Sequence, residues 1–446
     1  MSCGRAEVEE RALEALRPSA LQLRLLSSLY QYLKQKVSSC IERRGIAAEV
    51  ELEGSFAKGT ILSRKWEVDV FVLFEMSESW VKERSLQVLT ECLSPLPFLV
   101  KYAEHPYVTV SLMGLEAEVV PATRAESPSR LGVGRTPFHT RYVAGKVAED
   151  PCLADEIRLL KSFMEAIGVY GAEAGGFSGY LAELLVIRYG SFRKVLEASL
   201  SWRPQVYIDI EGVGNERYLR EKYKDSPVIF VDPVDPARNA AASVTLPSLS
   251  AFMVMAGLYL SRPSEKLLVP QLRSPQKVGP SLLVACRGSY DELPKENVIG
   301  MLRRALSLAS SRLEERGFVS SWKAFWSDYS SKALLLIGLE SLSLPELEVR
   351  RGPRPWDSAR GSQDFLAKRA EEGLVWVGEE GHLVGLRRRK VTRAREVISG
   401  EEVARVLKAA SCSVEECSEG IECLQREGVR PWSLTGLPLL LPSDTS

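Results

Sequence analysis

Histidine is nearly missing from this chain, with three in 446 residues, at His105, His139 and His382. They are widely spaced, so a metal centre built from histidines is excluded at the outset. Net charge is missing too, because 58 basic residues meet 58 acidic ones. The chain as a whole is therefore no basic nucleic-acid binder, and any site for a polyanion must come from local segregation of charge. Apolar runs stay well short of the ~20 residues that a membrane span needs. The eight cysteines contain no CxxC pair. Only Cys412, Cys417 and Cys423 cluster, with no histidine beside them, so neither a zinc site nor a disulfide framework is expected and the thiols read as buried or incidental. The opening residues are charged with no apolar stretch behind them, which leaves no signal-peptide pattern and a cytoplasmic expectation.

What remains is an ordinary globular composition, 45% hydrophobic and 26% charged, which excludes a disordered chain, a fibre and a membrane bundle. The length suits about three domains. Residues 7–44 read as helix interrupted at Pro18, with Leu21, Leu25, Leu29 and Tyr32 as the apolar face. Apolar segments at Trp66–Phe74 and Ala117–Val120 enclose a helical stretch at Ser79–Cys92, and together suggest an α/β head ending near Arg141. Helical periodicity then dominates, first through Ile157, Leu160, Phe163, Met164 and Ile167, then through Leu181, Leu184, Leu185 and Ile187. One more apolar helix is expected at Leu249–Tyr259. The last third reads as strand, helix and strand at Leu282–Cys286, Glu296–Arg316 and Ala333–Leu339, a small α/β layer with helices on one face of a sheet.

The chemistry concentrates in Gly54-Ser55-Phe56-Ala57-Lys58-Gly59-Thr60 and the following Glu67-Val68-Asp69-Val70-Phe71. Two positions apart in a strand, Glu67 and Asp69 project from one face, while Val68 and Val70 face the core. Two anions side by side repel unless a cation or proton relieves them. Hard divalent cations, Mg²⁺ above all, suit such a pair when phosphates complete the shell. Glu116 and Glu118 alternate in a later strand and offer a third carboxylate, as two-metal phosphoryl transfer requires. The Gly54-Ser55 turn lets backbone N–H groups and a hydroxyl approach a phosphate, and Lys58 and Lys161 can neutralise its charge.

These motifs, in their order, resemble the archaeal-type (class I) CCA-adding enzymes, tRNA nucleotidyltransferases of the DNA polymerase β superfamily. Tyr102-Ala103-Glu104-His105-Pro106-Tyr107, Glu118-Val119-Val120-Pro121, Arg135-Thr136-Pro137-Phe138-His139 and Arg158-Leu159-Leu160-Lys161 extend the likeness. Val169-Tyr170-Gly171-Ala172-Glu173, Gly176-Phe177-Ser178-Gly179-Tyr180 and Val231-Asp232-Pro233-Val234-Asp235 continue it. The resemblance implies an α+β multidomain protein: a polymerase-β-like nucleotidyltransferase head over 1–142, a helical nucleotide-recognition domain over 143–260, and a C-terminal α/β body, RRM-like or ferredoxin-like, that binds RNA over 261–446. It implies Mg²⁺ held by Glu67, Asp69 and Glu118. Ser55, Lys58, His139, Lys161 and Tyr170 match positions that hold the incoming triphosphate, Arg238 a position that reads the base, and Glu104 a loop near the primer end. Where the family carries aspartate this chain has Glu118, whose arm reaches about 1.5 Å further. The implied activity is template-independent addition of C, C and A to the tRNA 3′ end from CTP and ATP, with a homodimer left open.

Plainer readings stand beside these. Lys161 on an amphipathic helix is ordinarily solvated, Tyr170 could be a core aromatic, and Asp232 and Asp235 flank prolines as turn residues do. The run Arg387-Arg388-Arg389-Lys390, with Arg393 and Arg395, divides evenly between a solvated surface and a phosphate-backbone contact. The rival functions are a transferase of the poly(A) polymerase or oligoadenylate synthase kind, and an RNA-binding pseudoenzyme.

Overall fold

The computed structural model describes residues 4–102, 106–125, 133–172, 175–269, 279–291, 293, 295–418 and 422–428. The described residues divide into two compact units, one made of those up to 269 with those between 291 and 299, the other of those at 279–290 and from 300 to 428. Among the described residues no helix is long and apolar enough to cross a membrane.

The first unit opens with α1 (Glu7–Leu16) and α2 (Ala20–Glu42), separated at Pro18. Ser19 restarts the helix by accepting from the Gln22 backbone N–H at 3.1 Å, satisfying a donor that the first turn would otherwise leave open. The buried face of α2 is Leu26, Leu29, Tyr30, Leu33 and Val37, whereas Leu21, Leu25 and Tyr32 are exposed. The expected stripe was thus rotated: a leucine-rich helix offers two overlapping stripes, and packing against the sheet selects one.

The strands β1 (Ala48–Glu53), β2 (Glu67–Phe74), β3 (Phe98–Tyr102), β4 (Pro106–Leu112) and β5 (Leu115–Thr123) form one sheet in the order β1-β2-β5-β4-β3. In this sheet only β2 and β5 run parallel, with α4 (Glu78–Leu93), β3 and β4 between them in the chain, while the short α3 (Gly54–Ala57) follows β1. Val68, Val70, Val72 and Phe74 turn one face of β2 into a core shared with α2 and α4. The period-2 alternation leaves the other face to Asp69, Phe71 and Leu73.

Helices follow: α5 (Thr136–Glu149), α6 (Cys152–Ala166), α7 (Gly179–Tyr189), α8 (Phe192–Ser199), α9 (Glu216–Lys222) and α10 (Leu246–Ser261), with β6 (Val206–Ile208) and β7 (Val228–Phe230) as a parallel pair. Their core gathers Ile157, Leu160, Phe163, Leu184, Phe192, Phe252 and Tyr259, and Ala12, Leu13 and Leu16 of α1 join it. Position 142 falls inside α5, which runs unbroken. Ser178 caps α7, and Gly190 ends it in the left-handed conformation, where a side chain would be strained.

The second unit contains β8 (Ser281–Gly288), most of α11 (Lys295–Glu315), β9 (Ser320–Ser327), β10 (Lys332–Leu339), β11 (Leu347–Arg351), α12 (Ala359–Ala370), β12 (Val375–Val377), β13 (Leu383–Arg388), α13 (Gly400–Leu407), β14 (Ala409–Cys417) and α14 (Glu422–Arg426). It builds two antiparallel sheets, β14-β8-β10-β9 and β11-β13-β12.

The cysteine expectation is corrected. Cys40 pairs with Cys92 (Cα–Cα 5.5 Å) and ties α2 to α4; Cys286 pairs with Cys412 across β8 and β14, and Cys417 with Cys423. The clustered Cys412, Cys417 and Cys423 are thereby disulfide partners and hold no metal. Separations of 52 and 126 residues carry no local spacing signal; the fold alone brings those Cβ atoms into bonding range.

Candidate active site

The ladder places Glu53, Asp69 and Glu118 directly opposite one another across β1, β2 and β5, and Glu67 opposite Glu116. Paired residues share a face, so the carboxylates stand in rows behind the fully buried Val68 and Val70. Burial, then Glu118, then Glu67 push the Asp69 carboxyl up to about 7, with Lys58 and Lys65 acting against them. Register settles which glutamate accompanies Asp69: it is Glu118, with Glu116 one row away. Gly54, at φ +71°, lies so close that a Cβ there would meet Asp69 Oδ2 at 1.6 Å. Only glycine lets the turn abut the carboxylate, which explains Gly54-Ser55 at this point in the chain.

An aspartate raised by burial and then by two neighbouring carboxylates is short of positive charge, and its oxygens suit a hard divalent cation. Among the described residues no three His, Cys, Asp or Glu side chains converge as a ready-made metal cage. The ladder sets Asp69 beside Glu118, and Glu67 stands one row along the same strand, opposite Glu116. Glu53 is an unforeseen neighbour in the row. Its carboxyl is buried and pushed up to about 7, by burial first, and Glu51 adds to this. Its Oε2 has no hydrogen-bond partner among the described residues, and Thr140 faces it outside hydrogen-bonding geometry. The alternation Glu49, Glu51, Glu53 was the readable signal for it.

Lys58 and Lys161, read from sequence as phosphate ligands, are both buried and meet at one carboxylate, Glu183 of α7. Lys58 Nζ lies 2.9 Å from Glu183 Oε2, Lys161 Nζ 2.8 Å from Oε1, and Thr60 Oγ1 donates to Oε1 at 2.7 Å. Burial alone would raise the Glu183 carboxyl; Lys161 and Lys58 bring it down to about 2. The solvated reading of Lys161 is therefore wrong. Sequence reasoning missed Glu183, whose only mark is a lone carboxylate in the apolar run Leu181-Ala182-Glu183-Leu184-Leu185. Arg158, one turn before Lys161, donates its Nε to the Ile61 carbonyl at 2.9 Å and also reaches the Gly59 carbonyl, pinning the backbone beyond the Gly-Ser turn. Tyr170 joins this pocket: a Cβ on Gly179 would meet the Tyr170 hydroxyl at 2.7 Å and Lys161 Cε at 3.8 Å.

Asp232, read as a turn residue, has no exposed side-chain surface and is a hub. His139 Nε2 lies 3.0 Å from its Oδ2, Arg238 Nη1 donates to Oδ2 at 2.7 Å, and the Tyr180 hydroxyl donates to Oδ1 at 3.1 Å. Burial would raise its carboxyl, but His139, the Val234 N–H and Arg238 hold it down to about 2. His139 stacks on Tyr180 with ring centroids 4.0 Å apart. Burial pulls the His139 imidazole below its ordinary value in spite of Asp232. In the neutral tautomer that gives Asp232 its Nε2 proton, Nδ1 is left as an acceptor. Lys58 connects the groups electrostatically, acting on Asp69, His139 and Glu183 alike. Ser55 sits half-buried in α3, next to Gly54. Glu104 and Glu173 lie outside the described residues.

In the second unit the basic run is spent partly on carboxylates. Arg387 Nε donates to Glu348 at 2.6 Å and Arg389 pairs with Glu348 at 2.9 Å, while Arg388 is mostly exposed.

A sheet with carboxylates on adjacent parallel strands, a Gly-Ser turn pressed against them and buried lysines beside it defines a polymerase-β-like nucleotidyltransferase. Residues 33–141 match the nucleotidyltransferase domain model, 155–269 the second domain of tRNA nucleotidyltransferase, and 281–416 the C-terminal domain of CCA-adding enzymes. The chain is 42% identical over 390 residues to the CCA-adding enzyme of Aeropyrum pernix, covering 85% of this chain and 84% of that protein. It is 34% identical to the one from Saccharolobus shibatae, over 90% and 93% of the two chains. For Methanothermobacter thermautotrophicus the identity is 35% over 82% of each. The chain belongs to the CCA-adding enzyme family. Dependence on a divalent metal goes with the nucleotidyltransferase domain.

Proposed function

We propose that this chain adds C, C and A to the 3′ end of tRNA from CTP and ATP, without a template and with release of pyrophosphate. The observation that carries this reading is the pairing of Asp69 with Glu118 beside Gly54, in a chain that matches CCA-adding enzymes over most of its length.

In this reading Glu67, Asp69 and Glu118 hold Mg²⁺, which when bound lowers the pKa of the attacking 3′-hydroxyl and offsets the charge of the leaving group. Lys58 and Lys161 take the triphosphate, with Ser55, Tyr170 and His139 at its edge; a neutral His139 offers Nδ1 to a hydroxyl rather than to a phosphate oxygen. Arg238, tethered by one nitrogen to Asp232, keeps further donors of its planar fork for acceptors on cytosine or adenine. The head over 1–142 supplies catalysis, 143–260 the nucleotide face, and 261–446 the grip on duplex RNA, through phosphates and 2′-hydroxyls. The enzyme works in the cytoplasm on the tRNA acceptor end, and a homodimer is the assembly to test by mass in solution.

The test is incubation with tRNA lacking its 3′ terminus and each labelled nucleotide separately, followed by sequencing of the product end. Two cytidines and then one adenosine are expected. Adenosine tails without any use of CTP would favour the poly(A) polymerase or oligoadenylate synthase kind, and no addition at all would favour the pseudoenzyme.

A further inference from the structure

Glu183 is a buried ionised group with no place in the chemistry above. Its Oε1 receives Lys161 and Thr60, its Oε2 receives Lys58, and Lys161 also donates to Thr60 Oγ1 at 3.0 Å. The three contacts come from two places, Lys58 and Thr60 at the end of the Gly-Ser turn and Lys161 on α6, and Glu183 brings α7 to both. The side chains of Lys58, Lys161 and Glu183 are 8%, 3% and 1% exposed. One carboxylate therefore balances one of two buried ammoniums, and the pocket keeps a surplus of positive charge. A polyphosphate is the ligand chemistry that uses such a surplus.

We propose that Glu183 is a positioning residue for the triphosphate, holding Lys161 charged and both Lys58 and Lys161 aimed while no substrate is bound. The inference rests on the placement of the triphosphate at these two lysines. Without the carboxylate, two ammoniums would face each other in a dry pocket, where both burial and mutual repulsion favour loss of a proton. Burial already lowers the Lys161 ammonium, and Glu183 opposes that. The other charged or titratable neighbours are Arg158 on α6, Tyr180 on α7, and Asp69 of β2, Glu53 of β1 and His139 of α5, on all three of which Lys58 acts. Tyr180 is held neutral by burial and by Asp232, and Arg158 stays charged, so Lys161 is the group that releases the proton. Triphosphate binding would then have to restore it.

The distinguishing readout is proton uptake on binding, which a staple between helices would not produce. CTP with Mg²⁺, and no tRNA present, is titrated calorimetrically into the full chain at pH 8 in buffers of different ionisation enthalpy. Glu183→Gln is expected to take up about one more proton per CTP than the unaltered chain, and its affinity should fall about tenfold per pH unit where that linkage operates. In turnover the loss should appear in KM for CTP and ATP alike, with kcat at saturation largely kept. An unchanged proton count and pH dependence in Glu183→Gln would overturn the inference. Should that variant fail to fold, Glu183→Asp keeps the charge on an arm too short to reach both ammoniums, and an intermediate uptake is expected; no change overturns the inference there too. An unaltered chain that fails to bind CTP would sink the proposed function itself, whereas one that binds it while the variants match it sinks this inference alone.

Discussion

In the carboxylate row of β2 and β5, like charges face one another across the ladder; in the lysine pocket of the same unit, a carboxylate stands between the like charges. The row raises Asp69 to about 7, and the pocket lowers Glu183 to about 2. Both residues are acidic side chains held among neighbours behind apolar packing, so burial alone separates neither case. The difference is the sign of the neighbours. An acid among acids waits for a cation from outside the chain, while an acid among lysines is already neutralised and serves the fold and the site together. The first pattern belongs to a ligand that comes and goes, the second to a permanent part of the protein.

The comparison breaks most visibly at Glu118. Glu118→Ala should reduce nucleotide addition by about a thousandfold, the upper range for losing one preorganised electrostatic contact, with tRNA binding intact because the loss falls on the transition state. Glu118→Asp should keep substantial activity. Glu116 lies one row away, opposite Glu67, and Glu116→Ala should cost little. Single-nucleotide addition rates for the three variants check this; if Glu116→Ala abolishes addition while Glu118→Ala spares it, the row has been assigned to the wrong glutamate.

A second effect separates the row from the pocket by pH. Because the Asp69 carboxyl is raised in the folded chain, the folded state binds more protons than the unfolded one between about 4 and 7. Stability therefore falls as pH rises through that window, by up to about 4 kcal/mol. Asp69→Asn removes the cost, so without metal its Tm should exceed that of the unaltered chain at pH 8 and converge with it near pH 4. Mg²⁺ should raise the Tm of the unaltered chain and leave that of the variant nearly unmoved. Glu183 has the opposite sign: its folded value is depressed, and its contribution is present above about 4.5 and lost as pH falls towards 2. Thermal melts over pH 2–8, with and without Mg²⁺, test both; equal melting temperatures at pH 8 for Asp69→Asn and the unaltered chain would remove the idea that the row is short of cation.

The two regions were unequally legible in the sequence. The row could be read because a strand repeats every two residues: Glu67 and Asp69 fix one face, Val68 and Val70 the other, and the same rule applies to Glu116 and Glu118. What periodicity alone left open was the register, which sets Glu118, the glutamate already implied by the resemblance, opposite Asp69 and adds Glu53. The pocket could be read only by halves. Lys58 and Lys161 carry motif positions, but their shared partner is 125 residues from Lys58 and looks like any polar residue of a helix. Asp232 was hidden by its prolines, which account for a turn without revealing that three side chains converge on it. The cysteines misled for the same reason as Glu183, since long-range pairing leaves no spacing. Local periodicity survives in a sequence; a partner across the fold does not.

The smallest effect sharpens the comparison in the second unit, where Glu348 repeats the motif of a carboxylate among cations. Arg350, Arg387 and Arg389 all pair with it, in a cleft of about 570 Å³ that Arg316, Lys368, Arg388 and Lys390 also line. Unlike Lys58 and Lys161, these arginines reach solvent, so salt screens them and their pairing is worth less. Arg387 and Arg389 are committed to Glu348, while Arg388 keeps 77% of its side-chain surface exposed and has Glu346 only at 4.0 Å. If this face meets the RNA backbone, the exposed cations make the phosphate contacts. Arg388→Gln with Lys390→Gln should then flatten the logarithmic salt dependence of tRNA binding by about 1 to 2, since each lost phosphate contact removes roughly 0.7 to 0.9 of slope. Arg387→Gln with Arg389→Gln should flatten it less and lower Tm slightly, because the freed Glu348 loses two partners. Turnover at saturating tRNA should stay near normal in both. Filter-binding titrations from low to moderate salt decide the matter: an unchanged slope in the first pair makes this run a solvated surface.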